Sequence, residues 1–142
     1  MSYKKIDNTI KSLIVGFLLI ISYTTYGQEF ITDANFDDKI NEQHAFGNDK
    51  QNIVVVEFWA NFNKDNAFEH WAKVKGVKYF RVDVATSPLM KKKYRIRMAP
   101  TVIIFNKGIE EAKFKAGLDL LVPITLKELQ ESIEEAKTAD SF

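Results

Sequence analysis

Glu57 stands inside Ile53-Val54-Val55-Val56-Glu57-Phe58-Trp59-Ala60, the most apolar run of the chain. An ionised carboxylate is costly to bury, so an acid there is either neutral with a raised pKa or held by a partner. The first state suits proton transfer, the second a structural acid, and the sequence leaves both open. His44 and His70 are the only histidines. His70 has Glu69 beside it, but adjacent residues of a helix do not face one point. No set of ligands at metal spacing accompanies them, so no metal and no cofactor is implied. Lys91 to Arg97 holds five basic residues in seven. Such a run suits an acidic partner, and it equally suits the end of a helix, whose dipole favours cations.

What is missing is as informative. The 142 residues include no cysteine. Disulfide staples, zinc–thiolate sites and any reaction that needs a protein thiolate are therefore excluded for this chain. There is no Gly-rich phosphate loop, no Ser/His/Asp order of triad type and no basic-aromatic stripe. A formal net charge of +1 gives no global pull towards nucleic acid or an anionic surface.

The elements that would position these residues start after an address segment. Lys4, Lys5 and Lys11 precede the apolar run Leu13 to Ile21, and Thr25-Tyr26-Gly27 follows with small residues two apart. This is the pattern of a secretory signal peptide cut after Gly27, which would export the remainder to the periplasm or the medium. The apolar run is far shorter than the roughly 20 residues a membrane span needs, which makes an uncleaved anchor the lesser alternative, and no span is expected after cleavage. Residues 28–142 then carry 17 basic and 18 acidic side chains, net −1, and are expected to form one domain.

Within that domain, Phe30-Ile31-Thr32 reads as a short strand. Asp33 can cap a helix with Phe36 and Ile40 on one face. Gly47 to Asn52 is a polar loop. The run around Glu57 reads as a central strand buried on both faces. Asn63 to Val74 is a short helix, with Phe68, Trp71 and Val74 spaced by three. Val77 to Val84 is a strand. Ser87-Pro88 opens a helix through Tyr94. Thr101 to Phe105 is a third apolar strand, and Asn106-Lys107-Gly108 a hairpin loop leading into Glu111 to Ala116. Thr125 and Glu128 form a capping box for a last helix carrying Leu126, Leu129, Ile133 and Ala136. The order β-α-β-α-β-α-β-β-α predicts a mixed α/β sheet with helices on both faces.

Two motifs in this order resemble the thioredoxin family. Val56-Glu57-Phe58-Trp59-Ala60-Asn61-Phe62-Asn63-Lys64-Asp65-Asn66 is similar to the stretch that carries the family's Cys-Gly-Pro-Cys. Lys93-Tyr94-Arg95-Ile96-Arg97-Met98-Ala99-Pro100-Thr101, running on to Gly108, is similar to its Pro-Thr step, apolar strand and Gly hairpin. The resemblance covers about residues 30–137 and implies a thioredoxin-like fold. It places Asn63 and Asn66 where the family keeps its two cysteines. Thiol–disulfide exchange needs a thiolate attacking sulfur, and a carboxamide offers neither atom. The resemblance further implies a buried acid at Glu57, with Tyr79 in hydrogen-bonded or water-bridged contact with it, and a cis peptide at Ala99-Pro100. Asn63 would cap a helix start that is reactive in the family. The segment from Asn63 to Asp83 is shorter than the family's, so its helix should keep about three turns.

The function these readings favour is a redox-inactive module that binds a protein or peptide on the former active-site face, through Phe62, Asn63, Asn66, Ala99, Pro100, Thr101 and Gly117. Two alternatives remain at this level: a non-thiol enzyme using Glu57, and an envelope assembly component using the apolar stretch Leu118 to Ile124. The partner and the oligomeric state are not readable.

Overall fold

A computed structural model describes residues 28–42 and 52–139. The expected signal peptide, most of the Gly47–Asn52 loop and His44 lie outside the described residues. Five strands form one mixed sheet in the order β1-β3-β2-β4-β5: β1 Glu29–Ile31, β2 Ile53–Trp59, β3 Lys78–Asp83, β4 Thr101–Asn106 and β5 Ile109–Lys115. β1 and β2 each run parallel to β3, while β4 runs antiparallel to both β2 and β5. The helices are α1 Phe36–Asn41, α2 Pro88–Lys93 and α3 Leu126–Ala139.

The period-2 alternation of strands divides the core in two. Val54, Val56 and Phe58 of β2 point one way, with Ile103 and Phe105 of β4, against Phe36 and Ile40 of α1 and Met90 of α2. Ile53 and Val55 point the other way, with Val102 and Ile104, against Leu129, Ile133 and Ala136 of α3. Both faces of the two central strands are thus covered, which is why their sequences are nearly unbroken apolar runs. The β4–β5 hairpin closes through Lys107 (φ 50°) and Gly108 (φ 76°), a two-residue loop with both φ positive, as the right-handed twist of the flanking strands favours.

The capping box of the last helix is present in reciprocal form. Thr125 N–H donates to Glu128 Oε2 at 2.9 Å, and Glu128 N–H donates to Thr125 Oγ1 at 3.3 Å. Two expectations need correction. Asp33 does not cap α1: its carboxylate accepts the N–H groups of Leu89 (3.0 Å) and Met90 (2.9 Å), the first turn of α2. Asn35 occupies the start of α1 instead and forms no side-chain cap. The helix expected over Asn63–Val74 is not α-helical. It is two 3₁₀ pieces, Asn61–Asn66 and Trp71–Lys73. Of the residues spaced by three, only Trp71 lies in a 3₁₀ piece; Phe68 falls between the two and Val74 follows the second in an extended conformation. Moreover, Phe68 N–H, which would extend an α-helical ladder, donates instead to Glu57 Oε1 at 2.9 Å.

Candidate functional site

The sheet brings Asn63, Asn66, Ala99, Pro100 and the 117–124 connection to one end of the fold. β2 ends at Trp59 and releases the first 3₁₀ piece. Ala99-Pro100, a cis peptide, leads into β4. The connection leaves β5 beside them, where Ala116 N–H donates to Pro100 O at 3.0 Å.

Asn63 ties these three segments together. Its Nδ2 donates to Ala99 O and to Leu120 O, each at 2.8 Å, and its Oδ1 accepts from Asn66 Nδ2 at 2.9 Å. This corrects the expectation that Asn63 is an N-cap. Ala60 stands at the start of the 3₁₀ piece, and Asn63 itself has a non-helical backbone (φ −121°, ψ 28°). The carboxamide acts as a donor across the site, which no thiol could do at both positions. The Ala99 carbonyl is therefore occupied from within the chain, while its N–H has no partner among the described residues.

The other residues singled out are distributed unevenly. Phe62 projects from the first 3₁₀ piece and is 79% exposed. Gly117 is exposed and opens a turn in which Leu120 N–H donates to Gly117 O at 3.0 Å. Thr101 is not on the surface: it is 1% exposed and its Oγ1 donates to Met98 O at 2.6 Å. Ala99 and Pro100 are buried as well. In the connection, Leu118 and Leu121 are exposed, whereas Ile124 packs into the core. The irregular 65–73 segment leaves a groove of about 770 Å³ against residues 121–128, with Phe68, His70, Leu121 and Pro123 among its walls.

Beneath this end lies Glu57, fully buried. Tyr79 OH donates to its Oε2 at 2.9 Å. A third partner, absent from the sequence reading, is Arg81: its Nε (3.1 Å) and Nη2 (2.9 Å) donate to the same oxygen. Glu57 and Arg81 are direct partners in the β2–β3 register. With Phe68 N–H on Oε1, the carboxylate accepts four hydrogen bonds. The sequence does hold a signal for Arg81: it lies two residues after Tyr79 on one strand, hence on the same face.

Burial, reinforced by the neighbouring Glu57 charge and their hydrogen bond, pushes the Tyr79 phenol far above its ordinary value near 10. The folded state thus keeps a proton that the unfolded chain gives up. That contribution is complete below about pH 10 and is lost as the pH rises further, with a slope of roughly 1.4 kcal/mol per unit. Tyr79→Phe is expected to remove one proton from the alkaline limb of the stability profile, measured by urea unfolding between neutral and strongly alkaline pH. An unchanged slope would contradict the placement of Tyr79.

Among the described residues no group of three or more His, Asp or Glu side chains could hold a metal ion, and no helix is long and apolar enough to cross a membrane.

The family model for thioredoxin matches residues 28–134. The chain belongs to the thioredoxin family, as a cysteine-free member. Among solved structures it is similar to a point mutant of thioredoxin from Halobacterium salinarum, at 14% identity and a TM-score of 0.59, covering 78% of this chain and 90% of that one. It is also similar to the thioredoxin of Malassezia sympodialis, at 21% identity and a TM-score of 0.54, covering 78% and 91%. At these identities the structures establish the fold. No curated protein matches the chain.

Proposed function

We propose that this is an exported, redox-inactive member of the family that works by binding a protein or peptide at the former active-site end. Dithiol exchange has no reacting atom in the chain, since sulfur is absent from positions 63 and 66. The observation that carries the binding reading is Phe62, an aromatic ring 79% exposed on a segment that Asn63 braces against two loops. Exposed aromatics on a fixed scaffold are the usual anchors of interfaces. The unpaired N–H of Ala99 adds a donor for an extended partner.

Glu57 is fully buried, and both of its oxygens take donors from within the fold. Export is inferred from residues 1–27. The N-terminus of the protein isolated from its producing cells is expected at Gln28, and a chain retaining residues 1–27 would contradict it.

Partner capture tests the binding reading. Phe62→Ala should weaken capture by roughly thirtyfold, the effect of losing about 2 kcal/mol at a hot spot. A Leu118→Ala/Leu121→Ala variant should retain the partner. The reverse pattern, together with a concentration-dependent size of the purified chain, would favour the assembly role instead.

A further inference from the structure

We infer that a second, cationic cleft, formed by α2 and the residues that follow it, receives an acidic segment of a protein partner. The cleft has a volume of about 420 Å³ and is lined by Pro88, Lys91, Lys92, Arg95, Ile96 and Arg97. Four of these six residues are cations, and all four are exposed.

Their lack of internal partners distinguishes them from the neighbouring basic residues. Lys93 pairs with Asp37 at 2.9 Å, and Lys113 pairs with Glu110 at 3.2 Å. Lys91, Lys92, Arg95 and Arg97 form no ion pair and no side-chain hydrogen bond among the described residues. Four like charges held within seven residues repel one another. Helix-dipole attraction at the end of so short a helix offsets only part of that cost. Arg95 also adopts a left-handed backbone (φ 53°), a conformation glycine takes without steric cost. That conformation closes the end of α2, where Arg95 N–H donates to Lys92 O and Ile96 N–H to Lys91 O. Ile96 is buried and fixes the cleft floor to the core shared by α1 and β4, so the cations are presented on a fixed base.

The remainder of the surface decides the kind of anion. Residues 28–142 carry a net charge of −1. α3 exposes Glu128, Glu131, Glu134 and Glu135, and α1 exposes Asp37 and Asp38. α1 packs on the same side of the sheet as the cleft's helix and α3 on the other, so a bilayer at the cleft would also meet the acidic α1, and a polyanion long enough to wrap the domain would meet α3 as well. No aromatic platform for base stacking lines the cleft. A short acidic segment touches the cations alone. Paired Arg forks suit carboxylates, and Leu89, 64% exposed on the same short helix, offers apolar contact to an interleaved side chain.

The test is fluorescence anisotropy with the full exported chain and a labelled peptide alternating Glu with Val. The expected result is saturable binding that weakens with added salt. The version alternating Gln with Val should not bind. Lys91→Glu and Arg97→Glu should each weaken the acidic peptide by about tenfold, with unchanged unfolding midpoints because both residues are exposed. Lys75→Glu, on a different face, and Phe62→Ala should leave this binding intact, so the cleft can fail independently of the Phe62 surface. Three results would overturn the inference: no binding of the acidic peptide at low salt, equal binding by the charge-reversed variants, or tighter binding of a single-stranded oligonucleotide or of phosphatidylglycerol vesicles than of the peptide.

Discussion

Glu57→Gln is expected to lower the unfolding free energy by about 3–5 kcal/mol, the cost of breaking a buried ion pair from one side. The carboxylate is fully buried and receives Arg81, Tyr79 and Phe68 N–H. An amide in its place turns an NH₂ group towards at least one of these donors and leaves the Arg81 guanidinium, itself mostly buried, without its counter-charge. Against a total of about 5–15 kcal/mol for a domain of this kind, the loss is large. The triple replacement Glu57→Met/Tyr79→Phe/Arg81→Leu should recover part of it, because apolar residues of similar volume remove the two charges and the hydroxyl together and leave only the Phe68 N–H without its acceptor. Denaturant unfolding of the single and triple variants checks both statements. A single variant within about 0.5 kcal/mol of the parent would mean that the cluster carries no net stability. A Glu57 with a role in chemistry would instead show turnover lost without a loss of stability.

The second large effect concerns the brace across the former redox site. Asn63→Ala is expected to cost about 2–3 kcal/mol, summing lost hydrogen bonds and two carbonyl groups left without their donor. Asn63→Asp should cost more, although it conserves size: its charge would face the Ala99 and Leu120 carbonyl oxygens that Nδ2 now serves. The loss should also be local. Leu120 holds a left-handed backbone (φ 55°), which a leucine keeps only when its surroundings enforce it. Without the Asn63 bond, the turn from Gly117 to Leu120 should open, and amide hydrogen exchange at Leu120 and Leu121 should accelerate relative to β4. Unchanged exchange there, with an unchanged unfolding midpoint, would show that the bridge is idle.

These two sites differ in how far they can be read from residue order. The strands can be read because alternation and β-branching are local. Val54, Val56 and Phe58 against Ile53, Val55 and Glu57 already separate the two faces of β2. The capping box at Thr125 and Glu128 is likewise a contact three residues apart. Contacts that close over long separations are different. Asp33 reaches the first turn of α2, more than fifty residues on, and serves that helix rather than the adjacent one. Asn63 looks like an N-cap because its type is a good one, but its two acceptors come from segments 36 and 57 residues away. The two 3₁₀ pieces at 61–66 and 71–73 are not visible in the spacing of Phe68, Trp71 and Val74, since only Trp71 lies in one of them. What residue order does not reveal is that Glu57 takes the Phe68 N–H.

The missing cysteines set the functional problem. In this fold the site's position survives, but its chemistry has been replaced by a carboxamide brace, with an exposed aromatic ring beside it. The proposed function is that this surface acts through what it touches. The most direct measurement is photocrosslinking from a benzophenone amino acid placed at Phe62, in the cells that produce the protein, with Leu118 as the control position. The expected result is a discrete adduct formed from position 62 alone and unaffected by reducing agent. The same adducts from both positions, or none from position 62, would contradict a contact function at this end of the fold.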